Sequence, residues 1–138
     1  MTTPDLTLLL DQAQRRVSRA LDRALGEVGA SAEQWRVLDR LSDESGRPIG
    51  ELAQHLDMNP PTMTKLIDRM VAAGLVQRIV DAQDNRRVLV FITDVGLELF
   101  HKLAARAAAF HADLSDTLNA REAAQLSKLL GHLASRHH

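Results

Sequence analysis

A chain of 138 residues with 45% apolar and 25% charged side chains has the usual size of one domain around one core. Seventeen basic and eighteen acidic residues leave a net charge of −1, and the absence of cysteine excludes disulfides, thiol redox chemistry, thiolate metal sites and cysteine nucleophiles. No apolar run approaches the roughly eighteen residues of a membrane span, and the opening stretch has no basic segment before its leucines, so a cytoplasmic protein with no membrane partner is expected.

Only Trp35, Phe91, Phe100 and Phe110 are aromatic, while Ala, Leu and Arg abound, which suits a mostly helical chain. From Leu6 to Val28, apolar residues recur at Leu6, Leu10, Ala13, Val17, Leu21, Leu25 and Val28, one stripe on a first helix of about six turns. Ser31 with Gln34 then reads as a capping box, opening a second helix that turns Trp35, Val37, Leu38 and Leu41 inward. Turn formers at Asp43–Pro48 end it. A short third helix begins at Ile49 with Leu52, Ala53 and Leu56 at helical spacing.

Asn59 followed by Pro60 is a helix-start signal, because asparagine caps and a proline in the first turn forfeits no intrahelical bond. The fourth helix places Met63, Leu66, Ile67 and Met70 on one face and Thr62, Thr64, Lys65, Asp68 and Arg69 on the others, and Gly74 suits the left-handed position after its end. At Leu75 the period changes. Residues 75–80 and 88–93 are rich in Val, Ile, Leu and Phe and flank a polar stretch, Asp81–Arg87, predicting a β-hairpin with a charged tip. Thr93 caps a long fifth helix carrying Leu97, Phe100, Leu103, Ala104, Ala107, Leu114 and Leu118, and Asn119 with Glu122 opens a last one carrying Ala123, Leu126, Leu130 and Leu133. His137 and His138 fit a native end and an expression remnant equally, and carry no weight.

Short helix, tight connection, second helix with a polar face and charged hairpin, in that order, make a winged helix-turn-helix. Helical side chains enter a major groove, and an arginine on a hairpin tip fits the narrow, electronegative minor groove. Residues 59–93 hold five basic and three acidic side chains, the one basic stretch of the chain; that small surplus is also compatible with a solvated surface. Thr62, Thr64, Lys65 and Arg69 suit base-edge and phosphate contacts, and Pro60 and Pro61 set the helix entry angle, with a ring able to touch a thymine methyl.

The stretches Ile49–Leu56, Met63–Met70, Gly74–Val76, Asp81–Arg86 and Ile92–Gly96 resemble the MarR family of bacterial transcription regulators, closely over residues 31–97 and more loosely in the flanking helices. The resemblance implies one domain over residues 1–138, with a DNA-reading region at 31–97 and dimerisation helices at 5–28 and 97–136. It also implies a homodimeric regulator, a repressor rather than an activator, on a pseudo-palindromic double-stranded DNA operator. By the same likeness Arg86 is the minor-groove arginine, Asp68 its carboxylate partner, and Asp84 a further wing support. The family's wing reads Asp-x-Arg-Asp-x-Arg, and here Gln83 stands at the first arginine, with Arg87 the candidate to compensate. A small aromatic or lipophilic effector is implied in a cavity between the second and fifth helices, near Trp35 and Phe100. The alternative left open is a winged-helix protein-interaction module that does not bind DNA.

The six histidines show no metal-ligand spacing, and no nucleophile elbow, phosphate loop or paired-carboxylate motif accompanies the serines and aspartates. No metal, no cofactor and no enzymatic activity are therefore expected.

Overall fold

The computed structural model describes residues 3–137, so His138 and its reading lie outside the described residues. Among the described residues, six helices and three short strands follow in the order α1 (Leu6–Gly26), α2 (Ala32–Leu41), β1 (Arg47–Pro48), α3 (Ile49–His55), α4 (Pro60–Ala72), β2 (Val76–Val80), β3 (Val88–Ile92), α5 (Asp94–Ser115) and α6 (Ala120–Arg136). The helix starts follow from their capping residues. Ser31 and Gln34 form the reciprocal box at α2, Asn119 and Glu122 repeat it at α6, and the Thr93 hydroxyl accepts from the Gly96 N–H at 3.0 Å at α5.

The strands form one antiparallel sheet in the order β1-β3-β2. The two-stranded hairpin expected from sequence gains β1, where Arg47 lies opposite Val90 and Pro48 opposite Leu89. Proline is tolerated there because β1 is an edge strand with no further neighbour to receive its missing N–H.

Leu25, Val37, Leu38, Leu41, Leu52, Met63, Leu66, Ile67, Met70, Val76, Val90 and Leu103 are fully buried and make the core. It is shared by the C-terminal end of α1, by α2 to α4, by the sheet and by the middle of α5. Gly96 lies where that core is tightest, since a Cβ there would run into the Leu75 carbonyl oxygen. Gly74 ends α4 with φ +76°, the left-handed conformation glycine adopts at little cost.

Burial within the chain stops short at both ends of the sequence. On α1 only Leu21 and Leu25 are buried, and Leu6, Leu9 and Leu10 are exposed. On α6 no residue is buried, and Leu126, Leu129, Leu130 and Leu133 are all at least 41% exposed. Trp35, expected inside, is half-buried and packs against the core rather than within it.

Candidate nucleic-acid interface

The α3–α4 connection is set by backbone conformation. Asp57 takes the left-handed φ of 54°, and the Met58 N–H donates to the Ala53 carbonyl at 2.8 Å, closing α3. The chain then turns directly into α4, where the Asn59 side chain accepts from the Thr62 N–H at 2.8 Å and Pro60 and Pro61 occupy positions that need no donor.

Because Met63, Leu66, Ile67 and Met70 recur at three- and four-residue steps and are all buried, the rest of α4 is fixed facing outward. Pro60, Pro61, Thr62, Thr64, Lys65, Asp68 and Arg69 are exposed together. The face therefore offers hydroxyls able to donate and accept, two cations and one carboxylate, with its packing on the core leaving little freedom to reorient.

The wing continues from β2, whose Val76 pairs with Ile92 and whose Val80 pairs with Val88. Its tip is organised by two aspartates. The Asp81 side chain accepts from the Gln83 N–H at 3.0 Å, the Asp84 side chain accepts from the Arg86 N–H at 3.1 Å, and the Arg87 N–H donates to the Asp84 carbonyl at 2.9 Å. With these bonds fixing the backbone, the Arg86 side chain stands 94% exposed, its Nε 3.6 Å from Asp84. Arg87 is exposed beside it. An ion pair this open is worth about 0–1 kcal/mol, too little to hold Arg86 away from a phosphate.

One expected pairing is different. Asp68 does not pair with Arg86; it receives Arg78 of β2 instead. Arg78 lies in mid-strand opposite Val90, whereas Arg86 lies beyond the strand end at Val80, and each strand residue advances about 3.3 Å. The arginine that α4 can reach is thus the one at the root of the wing. The Asp68–Arg78 bridge joins the helix to the hairpin and leaves the tip cation unpaired with α4. Arg78 was missed in the sequence because only strand register places it beside Asp68.

A second ion-pair group, equally hidden in sequence, braces the head from behind. Glu51 of α3 accepts from Arg40 of α2 and lies 3.6 Å from Arg47 of β1, which also bonds Asp43 at 2.7 Å. The Glu51 hydrogen bond raises the Arg40 pKa above its ordinary value, and the Ser45 N–H, with the nearby arginines, holds the Asp43 carboxyl below the usual range.

Trp35 and Phe100 are both half-buried against the core but face different rings: Trp35 lies 6.2 Å from the His111 ring and Phe100 5.6 Å from that of His101. A hollow of about 460 Å³ lies between Leu6 and Leu10 of α1 and the leucines of α6, and neither Trp35 nor Phe100 lines it. No group of three His, Asp or Glu side chains stands within metal-binding reach among the described residues, and no helix there is long and apolar enough to cross a membrane.

The family model described as MarR family matches residues 30–88. The multiple antibiotic resistance protein MarR of Escherichia coli is 30% identical over 125 residues, covering 88% of this chain and 85% of that protein. A crystal structure of a mutant E. coli MarR complexed with operator DNA is similar over 93% of this chain and 92% of its own, with a TM-score of 0.86 and 27% identity. The PcaV transcriptional regulator from Streptomyces coelicolor, solved in complex with its natural ligand, is similar over the whole of both chains, with a TM-score of 0.83 and 25% identity.

Proposed function

The chain belongs to the MarR family of winged-helix transcription regulators, and from that premise we propose that it is a cytoplasmic homodimeric repressor reading a pseudo-palindromic operator. One observation carries the reading: the polar face of α4 and the arginine at the wing tip are both exposed on one head, where the Asp68–Arg78 bridge joins the helix to the root of the wing. Thr62, Thr64, Lys65 and Arg69 face a major groove, Pro60 and Pro61 meet its edge, and Arg86, with Arg87 beside it, enters the adjacent minor groove. Reading is assigned to residues 31–97 and dimerisation to 5–28 and 97–136. The leucines of α1 and α6 that none of the described residues covers support that division, because a two-fold copy buries the same stripe on both partners.

Regulation follows if a small aromatic or lipophilic molecule binds the spacing of the two heads that DNA does not accept. A hundredfold preference for that spacing shifts the equilibrium by about 2.7 kcal/mol. The seam between α2 and α5, with Trp35 and Phe100 on its two sides, is the proposed place, and the ligand-bound PcaV neighbour supports a ligand site on this fold.

Selection of bound fragments from random DNA tests the reading. The expected product is a two-fold site with half-site centres about 10 bp apart, bound with an affinity that falls steeply as salt rises. A protein that retains no DNA at low salt, or that binds every sequence alike, would instead be an interaction module built on the same fold.

A further inference from the structure

Outside α1 and α6, three of the five large aliphatic side chains that stand exposed among the described residues are in the wing: Ile79 (44%), Val80 (55%) and Val88 (39%). A lone exposed aliphatic residue needs no explanation, but a cross-strand pair of them at the end of a ladder is a surface that association covers. A hairpin whose only task was to carry a charged tip would be served by polar side chains there.

Val80 and Val88 face one another in the last rung of the β2–β3 ladder. Side chains alternate along a strand, so this pair lies on the side of the sheet shared by Arg78 and Val90, and Ile79 lies on the other. The Arg78 side is the one turned toward α4, since Val90 is buried in the core and Arg78 bridges Asp68. Val80 stands two residues farther out, about 6–7 Å along the strand, where the core no longer covers it. The rung is held from both ends, by the Asp68–Arg78 bridge on one side and on the other by the Asp81 N–H, which donates to the Arg87 carbonyl at 2.8 Å.

With α4 in a major groove and Arg86 in the adjacent minor groove, one sugar–phosphate strand separates the two and passes the side of the wing that faces α4. That strand is not uniformly polar, because between its phosphates it presents the C–H groups of deoxyribose. Cations suit the phosphates, and aliphatic methyls suit the sugars. We propose that Val80 and Val88 form an apolar rest for the deoxyribose carbons of that strand and so set the depth to which the wing tip enters the minor groove. Lys65 and Arg69 on α4 and Arg86 and Arg87 at the tip stand on either side of the pair, so charge and hydrocarbon alternate here as they do along the DNA strand itself. The inference rests on the operator reading and adds to it a contact that carries no charge.

Single alanine variants on the two sides of the wing test it, each measured as the intact protein on the operator fragment selected from random DNA. Val80→Ala and Val88→Ala are each expected to weaken binding roughly three- to tenfold, with the dependence of affinity on salt unchanged, because no charge that releases counterions is lost. Ile79→Ala is the control for wing stability: it lies one residue away, is similarly exposed and also loses a cross-strand packing partner, and its affinity is expected to change by less than about twofold. Wild-type affinity in either valine variant, an equal loss in Ile79→Ala, or an altered salt dependence overturns the apolar rest and leaves the operator reading standing. A wild-type protein that retains no DNA overturns both.

Discussion

α4 and α6 are both amphipathic helices with large aliphatic side chains at three- and four-residue steps, yet the chain treats them oppositely. On α4 the stripe of Met63, Leu66, Ile67 and Met70 is at most 2% exposed, whereas on α6 every leucine of the corresponding stripe remains open. An amphipathic pattern says that a face will be covered but not by what. α4 is covered by its own chain and can therefore be aimed. Among the described residues nothing covers the α6 stripe, and in the proposed dimer a second copy supplies what is missing. Head and arms consequently differ in what breaks them: the head should lose its fold, the arms their assembly.

The largest effect is expected from a charge placed in the arm. Leu126→Glu puts a carboxylate into the stripe, and burying it unpaired against a second copy is prohibitive, so sedimentation should show a folded monomer. Operator affinity should fall by about a hundredfold or more as the advantage of two linked heads is lost. A dimer that persists with Leu126→Glu would show that α6 is not the dimer surface. The matching cut in the head is Leu66→Ala. Removing this buried side chain should cost about 2–5 kcal/mol in denaturant unfolding, with the dimer interface itself left intact. Equal effects of the two substitutions on assembly would erase the distinction between the regions.

The wing sharpens the comparison within the head. Arg86→Ala should leave the melting temperature within a degree or so, because the side chain is almost wholly exposed, while weakening operator binding and lowering its salt slope by about one per wing. Arg78→Ala should differ in kind. It removes the bridge to Asp68, so the wing loses its fixed position against α4 and specificity should decline along with affinity. If the two arginines behave alike, the root and tip of the wing do not have separate tasks.

Much of this was legible in the residues because helix ends carry local chemistry. Ser31, Asn59, Thr93 and Asn119 each announce a start, Gly74 marks an end, and the change of period at Leu75 announces the sheet. What escaped is non-local. β1 is two residues long, too short for any period, and its Pro48 reads as a helix stop rather than as an edge strand. The partner of Asp68 depends on the register that sets Arg78 opposite Val90. Glu51 was similarly silent: its carboxylate meets Arg40 and Arg47 only because β1, α2 and α3 converge. The apolar neighbours of Trp35 predict a core residue, but its position at the rim of α2 leaves it half-buried against α5.

The smallest predicted effect concerns the turn on which the head's geometry rests. Asp57 holds a φ of 54°, a conformation that costs an L-residue about 1 kcal/mol, somewhat less for aspartate, and glycine almost nothing. Glycine is in turn more flexible in the unfolded chain, which offsets part of that gain. Asp57→Gly should therefore stabilise the protein by a few tenths of a kcal/mol, raising the melting temperature by roughly 1–2 °C. Asp57→Asn separates conformation from charge, since asparagine also tolerates the left-handed region but carries no negative charge beside the start of α4. If the turn matters only through its shape, Asp57→Asn should leave operator affinity unchanged. If the carboxylate repels a DNA phosphate near α4, both variants should bind more tightly, and by a factor that shrinks as salt rises. A melting temperature lowered by Asp57→Gly would mean that the aspartate side chain, not the backbone alone, holds α3 against α4.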